Sequence, residues 1–202
     1  MAKTAGRPAL TEAEIARFRT KVGEQALLLY LQEGIEAVSI RRLSRSVDCS
    51  PATLYAHFSG KPDILRTLWG HVLDAVIERV ETAISLAATD KKLRDASVAF
   101  VGYWIENPER FRLVFMADGV ARADISDFMK EDRVVGYFEV FRSLVRENTR
   151  LAARDATAHA DTLIASLIGV AMCHITIRDY PWPAPKEMVE TLVGSVFGLS
   201  VL

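Results

Sequence analysis

The sequence predicts an all-α protein, with a compact cluster of short helices followed by a larger helical bundle. Three observations carry that expectation. Apolar residues recur at three- and four-residue intervals over long stretches, no segment shows strand-type alternation, and Ser, Thr, Gly and Pro stand where helices should begin and end. Half of the 202 residues are hydrophobic and a quarter are charged, which suits a sizeable core and argues against disorder. The chain contains no repeat and no low-complexity segment.

A first helix is expected from Thr11, an N-cap with Glu12 and Glu14 behind it, to Gly34, which sits where a helix-ending glycine belongs. Ile15, Phe18, Val22, Ala26, Leu29 and Tyr30 form its apolar face. Ser39 can cap a second helix running to about Ser46 and burying Ile40 and Leu43. "VDC" interrupts it, and Ser50 caps a third helix with Pro51 at the first helical position, where its missing N–H costs nothing. Ser59-Gly60 ends that short helix. Lys61-Pro62 then opens a long fourth one, with Ile64, Leu65, Leu68, Trp69, Val72, Leu73, Val76, Ile77 and Val80 as its stripe. Further helices are expected over Lys91–Glu106, Pro108–Met116, Ala123–Thr149, Arg154–Arg178 and Lys186–Leu202, with loops at "ADGVAR" and "DYPWPAP". The expected division is residues 1–60, an N-terminal arm and a three-helix head, and residues 61–202, the bundle.

Composition narrows the function. Cys49 and Cys173 are too few for a disulfide scaffold and read as reduced thiols. The N-terminal residues lack the apolar region of a signal peptide, and the longest apolar run, Leu163 to Ile177, is too short to span a bilayer. A soluble, cytoplasmic protein without a membrane partner is expected. The formal net charge is −1, but it is unevenly spread. Residues 1–66 hold 10 Lys/Arg against 7 Asp/Glu, and the remainder holds 15 against 19. A basic end on an acidic chain suggests an anionic partner for that end.

Two short helices joined by a three-residue turn have helix-turn-helix spacing. Such a unit suits double-stranded DNA, because a helix fits the major groove while the preceding helix braces the backbone. Arg41, Arg42 and Arg45 lie on the second helix and Lys61 follows the third. Ala52, Thr53, Tyr55, Ala56 and His57 are small or hydrogen-bonding positions for the outer side of the third, with Leu54 and Phe58 facing inward. None of those outer residues is acidic. The free N–H groups at the Ser39 and Ser50 helix ends favour a nearby phosphate. Ahead of the first helix, Lys3 and Arg7 form a basic arm that could enter the adjacent minor groove.

From about Val22 to Leu68 the chain resembles the tetracycline-repressor (TetR) type of transcriptional regulators. The resemblance rests on "ALLLYLQEG", "IEAVSIRRLSRSVDCSPATLYAHFSGK" and "PDIL", and above all on the pattern S-x-x-T-L-Y-x-H-F-x-x-K. It implies DNA-contact positions at Thr53, Tyr55, His57 and Lys61, with Tyr55 and Lys61 on phosphates, and second-helix contacts at Ser39 and Arg41. The chain departs from the pattern at Asp48, where glycine is usual, at Ser44 and Ser46, where alanine is common, and at Leu28 and Leu31, usually polar positions. Aspartate tolerates a left-handed backbone better than most residues, so the turn is expected to survive.

The resemblance also implies that the bundle encloses an apolar cavity whose ligand changes the spacing of the DNA-reading heads. "YWIENPERFRLVF" is similar to a segment of one branch of the family. Candidate lining residues are Trp69, Phe100, Tyr103, Trp104, Phe111, Phe115, Tyr137, Phe141, Met172 and His174. Separately, the composition of the last two helices suggests a homodimer interface. Leu163, Leu167, Val170, Val189, Leu192, Val193, Val196 and Phe197 crowd them with apolar surface, and Gly169, Gly194 and Gly198 would permit close approach. A homodimer in turn predicts a pseudo-palindromic operator.

No catalytic residue, cofactor or metal is expected. His57 has no nucleophile pattern nearby, His71, His159 and His174 are scattered, and Asp155 with His159 makes only one i, i+4 pair. No P-loop or G-x-G-x-x-G is present. The reading is a ligand-responsive DNA-binding regulator, a repressor released by a small, largely apolar effector. The alternative is an all-α small-molecule-binding or enzymatic bundle with a vestigial helix-turn-helix.

Overall fold

The structure, a computed structural model, describes residues 11–116, 132–148 and 152–198. All regular structure among these residues is helical, as the sequence predicts. Contacts divide the chain into two units, Met1–His71 and Val72–Leu202. The sequence put a boundary at the start of the long fourth helix; the first turns of that helix in fact pack with the head.

The head is built on α1 (Glu12–Glu33), α2 (Ile40–Ser46), α3 (Pro51–His57) and the first part of α4 (Lys61–Leu86). Each boundary has a local cause. Thr11 and Glu14 form a reciprocal capping box: the Glu14 amide donates to Thr11 Oγ1 at 3.3 Å, and the Thr11 amide donates to the Glu14 carboxylate at 2.8 Å. Gly34 ends α1 at φ 82°, a backbone that disfavours side chains. A single 3₁₀ turn, Ile35–Ala37, leads to α2. Ser39 and Ser50 cap α2 and α3, their hydroxyls accepting from the Arg42 and Thr53 amides at 3.4 and 3.0 Å.

The turn between α2 and α3 is a Schellman closure. The Cys49 amide donates to the Ser44 carbonyl at 2.8 Å and the Asp48 amide to the Arg45 carbonyl at 3.3 Å. Asp48 takes the left-handed conformation this closure needs, at φ 55°. The turn therefore survives the exchange of glycine for aspartate. Inside the head, Val22 and Ala26 of α1 meet Leu43, Leu54, Phe58, Ile64 and Leu68 in a fully buried core. Gly23 lets α1 approach α4 closely, since a Cβ there would fall 2.3 Å from the His71 ring. Leu28 and Leu31 are exposed, as their usually polar positions suggested.

In the second unit a 3₁₀ turn (Thr89–Lys91) precedes α5 (Lys92–Glu106), followed by α6 (Pro108–Phe115), α7 (Asp132–Asn148), α8 (Ala153–Thr176) and α9 (Pro185–Gly198). Of the helix expected over Ala123–Thr149, residues 123–131 and Thr149 lie outside the described residues. Helix α5 touches α6, α7, α8 and α9 and buries Leu93, Ala96, Phe100, Val101, Tyr103 and Trp104. Its buried Ser97 is satisfied by donating to the Leu93 carbonyl at 2.7 Å. One helix, α8, is long and apolar enough to cross a membrane by length and composition, because it extends well before the apolar run beginning at Leu163. Its Leu163, Ile164, Leu167, Ala171 and Ile175 are spent inside the bundle.

Substitutions at residue 48 test the turn. Asp48→Val should cost about 1–2 kcal/mol, because a β-branched side chain is strained at positive φ. Asp48→Gly should change stability by well under that amount. Denaturant unfolding of the three proteins measures both.

Candidate nucleic-acid interface and bundle cavity

Helix α3 presents a short outer face on a buried base. Leu54 and Phe58 are sealed in the core, whereas Ala52, Tyr55 and Ala56 are exposed and Tyr55 stands 62% open. Thr53 and His57 are half-buried. Thr53 Oγ1 lies 2.9 Å from Ser50 Oγ, so its hydroxyl is shared with the cap. The His57 ring tilts against Phe18 at 5.2 Å between centroids. Arg41 and Arg45 are exposed on α2.

Two other sequence-derived cations are tethered. Arg42 donates to Glu33 at 2.7 Å, and that bond holds the Glu33 carboxyl below its ordinary range. Lys61 Nζ donates to the Ile35 carbonyl at 3.3 Å, which leaves it further N–H groups for another acceptor. Arg7 lies outside the described residues. Burial pushes the Cys49 thiol up, with the Asp48 charge adding to it, so that thiol is poorly nucleophilic.

One group that sequence reasoning missed is Arg19 of α1. Its guanidinium donates to the His57 carbonyl at the end of α3, to both Asp63 oxygens at 2.5 and 3.3 Å, and to Thr67 Oγ1 at 3.3 Å. It also lies 4.3 Å over the Phe58 ring. Asp63 in turn accepts from the Ser59 amide at 3.1 Å. Burial alone would raise the Asp63 carboxyl, but Arg19 and the Ser59 N–H outweigh it and hold it below the usual value. No periodicity flags such a residue; its partners are 38 to 48 positions away. Nearby, Lys21 donates to the Val47 carbonyl at 3.4 Å and so helps close α2.

The bundle encloses an apolar cavity of about 50 Å³. Five of the sequence candidates line it: Phe100, Trp104, Phe115, Tyr137 and Phe141. Leu73, Val76 and Ile77 of α4, with Val114, Val134, Phe138, Ile164 and Ile168, complete the wall; they carry no aromatic-cluster signal apart from Phe138. The other five candidates fall elsewhere. Trp69 belongs to the first unit, Phe111 and Tyr103 are core under the Trp104 ring, Met172 is exposed, and His174 is on α8 away from the wall.

The expected interface residues divide. Leu167, Val189 and Val193 are buried inside a single chain, because α8 and α9 turn their most apolar stripes toward α5 and each other, whereas Leu163 and Val170, though largely buried, also line grooves on the open side. The side chains of Val196 and Phe197 lie outside the described residues. The open sides of the same helices form two shallow grooves. Gly169, Cys173, Met188 and Thr191 line one, and His159, Thr162 and Ser195 the other, with Ser166 and the half-buried Leu192 in both.

A capped two-helix reader on a cationic head, joined to an all-α bundle with an apolar cavity, defines a helix-turn-helix DNA-binding protein. Comparisons agree. Residues 24–68 match the family described as bacterial regulatory proteins, tetR family. The uncharacterized HTH-type transcriptional regulator YobS of Bacillus subtilis is 22% identical over 151 residues, covering 67% of this chain and 79% of YobS. A TetR-family transcriptional regulator structure from Syntrophomonas wolfei superposes with TM-score 0.65 at 17% identity, covering 93% of this chain and 96% of that one. A protein from Rhodococcus sp. RHA1 superposes over the whole of both chains with TM-score 0.69 at 16% identity. The matched residues are the helix-turn-helix itself, so the head is of the TetR type, a DNA-binding head.

Removing the Arg19 clamp should loosen α3. Arg19→Ala is expected to destabilise the head by about 2 kcal/mol, since it strips several charge-assisted hydrogen bonds from partly buried acceptors. The lowered Asp63 carboxyl fixes the pH dependence. Its contribution is complete above the ordinary carboxylate pKa near 3.9 and is lost as pH falls through the lowered folded value. Acid titration of stability should therefore show a smaller loss below about pH 4 in Arg19→Ala than in the parent.

Proposed function

We propose that this chain is a cytoplasmic repressor that binds a pseudo-palindromic operator as a homodimer and leaves it when a small, largely apolar effector fills the bundle cavity. The observation that carries the reading is the make-up of α4. One continuous helix supplies Asp63 and Thr67, which hold Arg19 and through it the end of α3, and also Leu73, Val76 and Ile77 of the cavity wall. An effector that favours one setting of this helix over another is linked to operator affinity, and the operator to effector affinity by the same factor.

On the DNA side, the free phenol of Tyr55 and the remaining N–H groups of Lys61 suit phosphates. Arg41 and Thr53 suit base edges. Arg42 reaches phosphate by exchanging its exposed pair with Glu33, which costs little because both groups are solvated. Ser39 and Ser50 serve as caps that orient both helices, and Ala52 leaves room for close approach. For the basic arm carrying Arg7, a minor-groove contact remains part of the proposal.

On the protein side, a second copy would lay its own α8 and α9 against the grooves lined by Gly169, Ser166 and Leu192. The two heads would then read half-sites roughly 34–36 Å apart or a multiple of it.

Arg41→Ala should change which operator is preferred, at a cost of about 1–3 kcal/mol on the best site. Lys61→Ala should weaken all sequences alike and reduce the salt slope by about one. Salt titrations of operator and random duplex read both. Absence of sequence preference at every salt concentration would instead favour the vestigial reading of the head. For the dimer, a Cβ at Gly169 meets open space, so Gly169→Glu should leave folding intact while blocking the face. Sedimentation should find the parent dimeric and this variant monomeric.

A further inference from the structure

The cavity wall contains one unanswered polar group. Trp104 is completely buried on α5, its ring forms part of the wall, and its indole N–H has no hydrogen-bond acceptor among the described residues. The indole of Trp182, by contrast, donates to the Ile177 carbonyl at 2.9 Å. Four rings pack against Trp104, those of Phe100, Tyr103, Phe111 and Phe115, with centroids 5.2–6.0 Å away and all edge-on. A buried donor without a partner is costly, and its cost falls when a ligand brings an acceptor.

We propose that the effector is a neutral, apolar molecule carrying a hydrogen-bond acceptor, such as a ketone, ester or ether oxygen, and that Trp104 Nε1–H donates to it. This inference rests on the cavity being the effector site. Neutrality follows from the wall, which among the described lining residues contains no Asp, Glu, Lys or Arg, so a bound ion would be desolvated without compensation. The other polar group of the wall is occupied: Tyr137 donates its hydroxyl to Asp74. Size follows too. About 50 Å³ is less than the ~150 Å³ that accepts benzene in an engineered cavity, so binding must push a wall residue outward. Phe115, 39% exposed at the end of α6, is the wall residue best placed to yield.

Cyclopentanone and methylenecyclopentane are close in size and shape, and one offers an oxygen where the other offers a methylene. Each is titrated into the full-length, isotope-labelled protein while the indole N–H and methyl resonances are followed by NMR; Trp104→Phe assigns the Trp104 signal. The ratio of cyclopentanone affinity to hydrocarbon affinity should be about tenfold or more higher in the parent than in Trp104→Phe, a comparison in which the ketone's larger cost of leaving water cancels. Cyclopentanone should also move the Trp104 N–H downfield. A ratio that Trp104→Phe leaves unchanged overturns the acceptor proposal and leaves the cavity reading standing. So does an N–H that stays upfield against an aromatic face with either probe. If neither compound perturbs the Leu73, Val76 and Ile164 methyls, the cavity reading falls and the acceptor proposal with it. The N–H shift in the parent protein is informative even if Trp104→Phe folds poorly.

Discussion

The head depends on one cation placed where three segments meet. Arg19 leaves α1, passes over the Phe58 ring, and satisfies the carbonyl at the end of α3 together with the Asp63 carboxylate and the Thr67 hydroxyl of α4. Helix α3 has only seven residues, too short to be stable alone, so its direction is set by what holds its two ends. Ser50 fixes the first end through backbone geometry. Arg19 and the buried Phe58 fix the second through tertiary contacts. A helix that presents one outer face in a fixed orientation needs both ends held.

The bundle has a different organising constraint. Helix α5 is packed by four others and carries the aromatic cluster, so nearly every side chain it turns inward is core. Trp104 is the exception in chemistry though not in burial. A phenylalanine at that place would fill most of the same space without bringing an N–H into an apolar wall. The Ser97 hydroxyl, equally buried on the same helix, finds a carbonyl one turn back, and so α5 can satisfy polar groups where packing alone is at stake. That contrast makes the orphaned indole informative.

How much of this could be read from the sequence follows from the range of each interaction. Caps and turns are local, and they were legible: the Thr11/Glu14 box, Ser39, Ser50, Gly34 and the left-handed Asp48 all lie within a few residues of what they serve. The outward Tyr55 and inward Leu54 and Phe58 follow from helical period alone. Arg19 was not legible, because its acceptors are dozens of residues away and a surface arginine looks the same in a string. The same limit explains the interface residues. Periodicity shows that α8 and α9 have apolar stripes but not what covers them. Leu167 and Val193 are covered by the chain itself, whereas Leu163, Val170 and Leu192 border the open grooves together with Gly169 and Ser166. Among the aromatics, a cavity wall and a solid core share one composition, which is why Phe100 and Phe141 met the cavity and Phe111 did not.

These constraints meet in α4. Its first turns are fixed by the Asp63 and Thr67 bonds to Arg19, which have sharp geometry, and by the close steric seat of His71 over Gly23. Its later turns contribute Leu73, Val76 and Ile77 to an apolar wall, where contacts are numerous and undirected. Directed bonds resist small displacements strongly, while an apolar wall can slide or spread over a short distance and exchange one set of contacts for another. Helix α4 thus carries two kinds of contact along its length, directed bonds in its first turns and an apolar wall further on, and the proposed linkage of effector to operator rests on that difference.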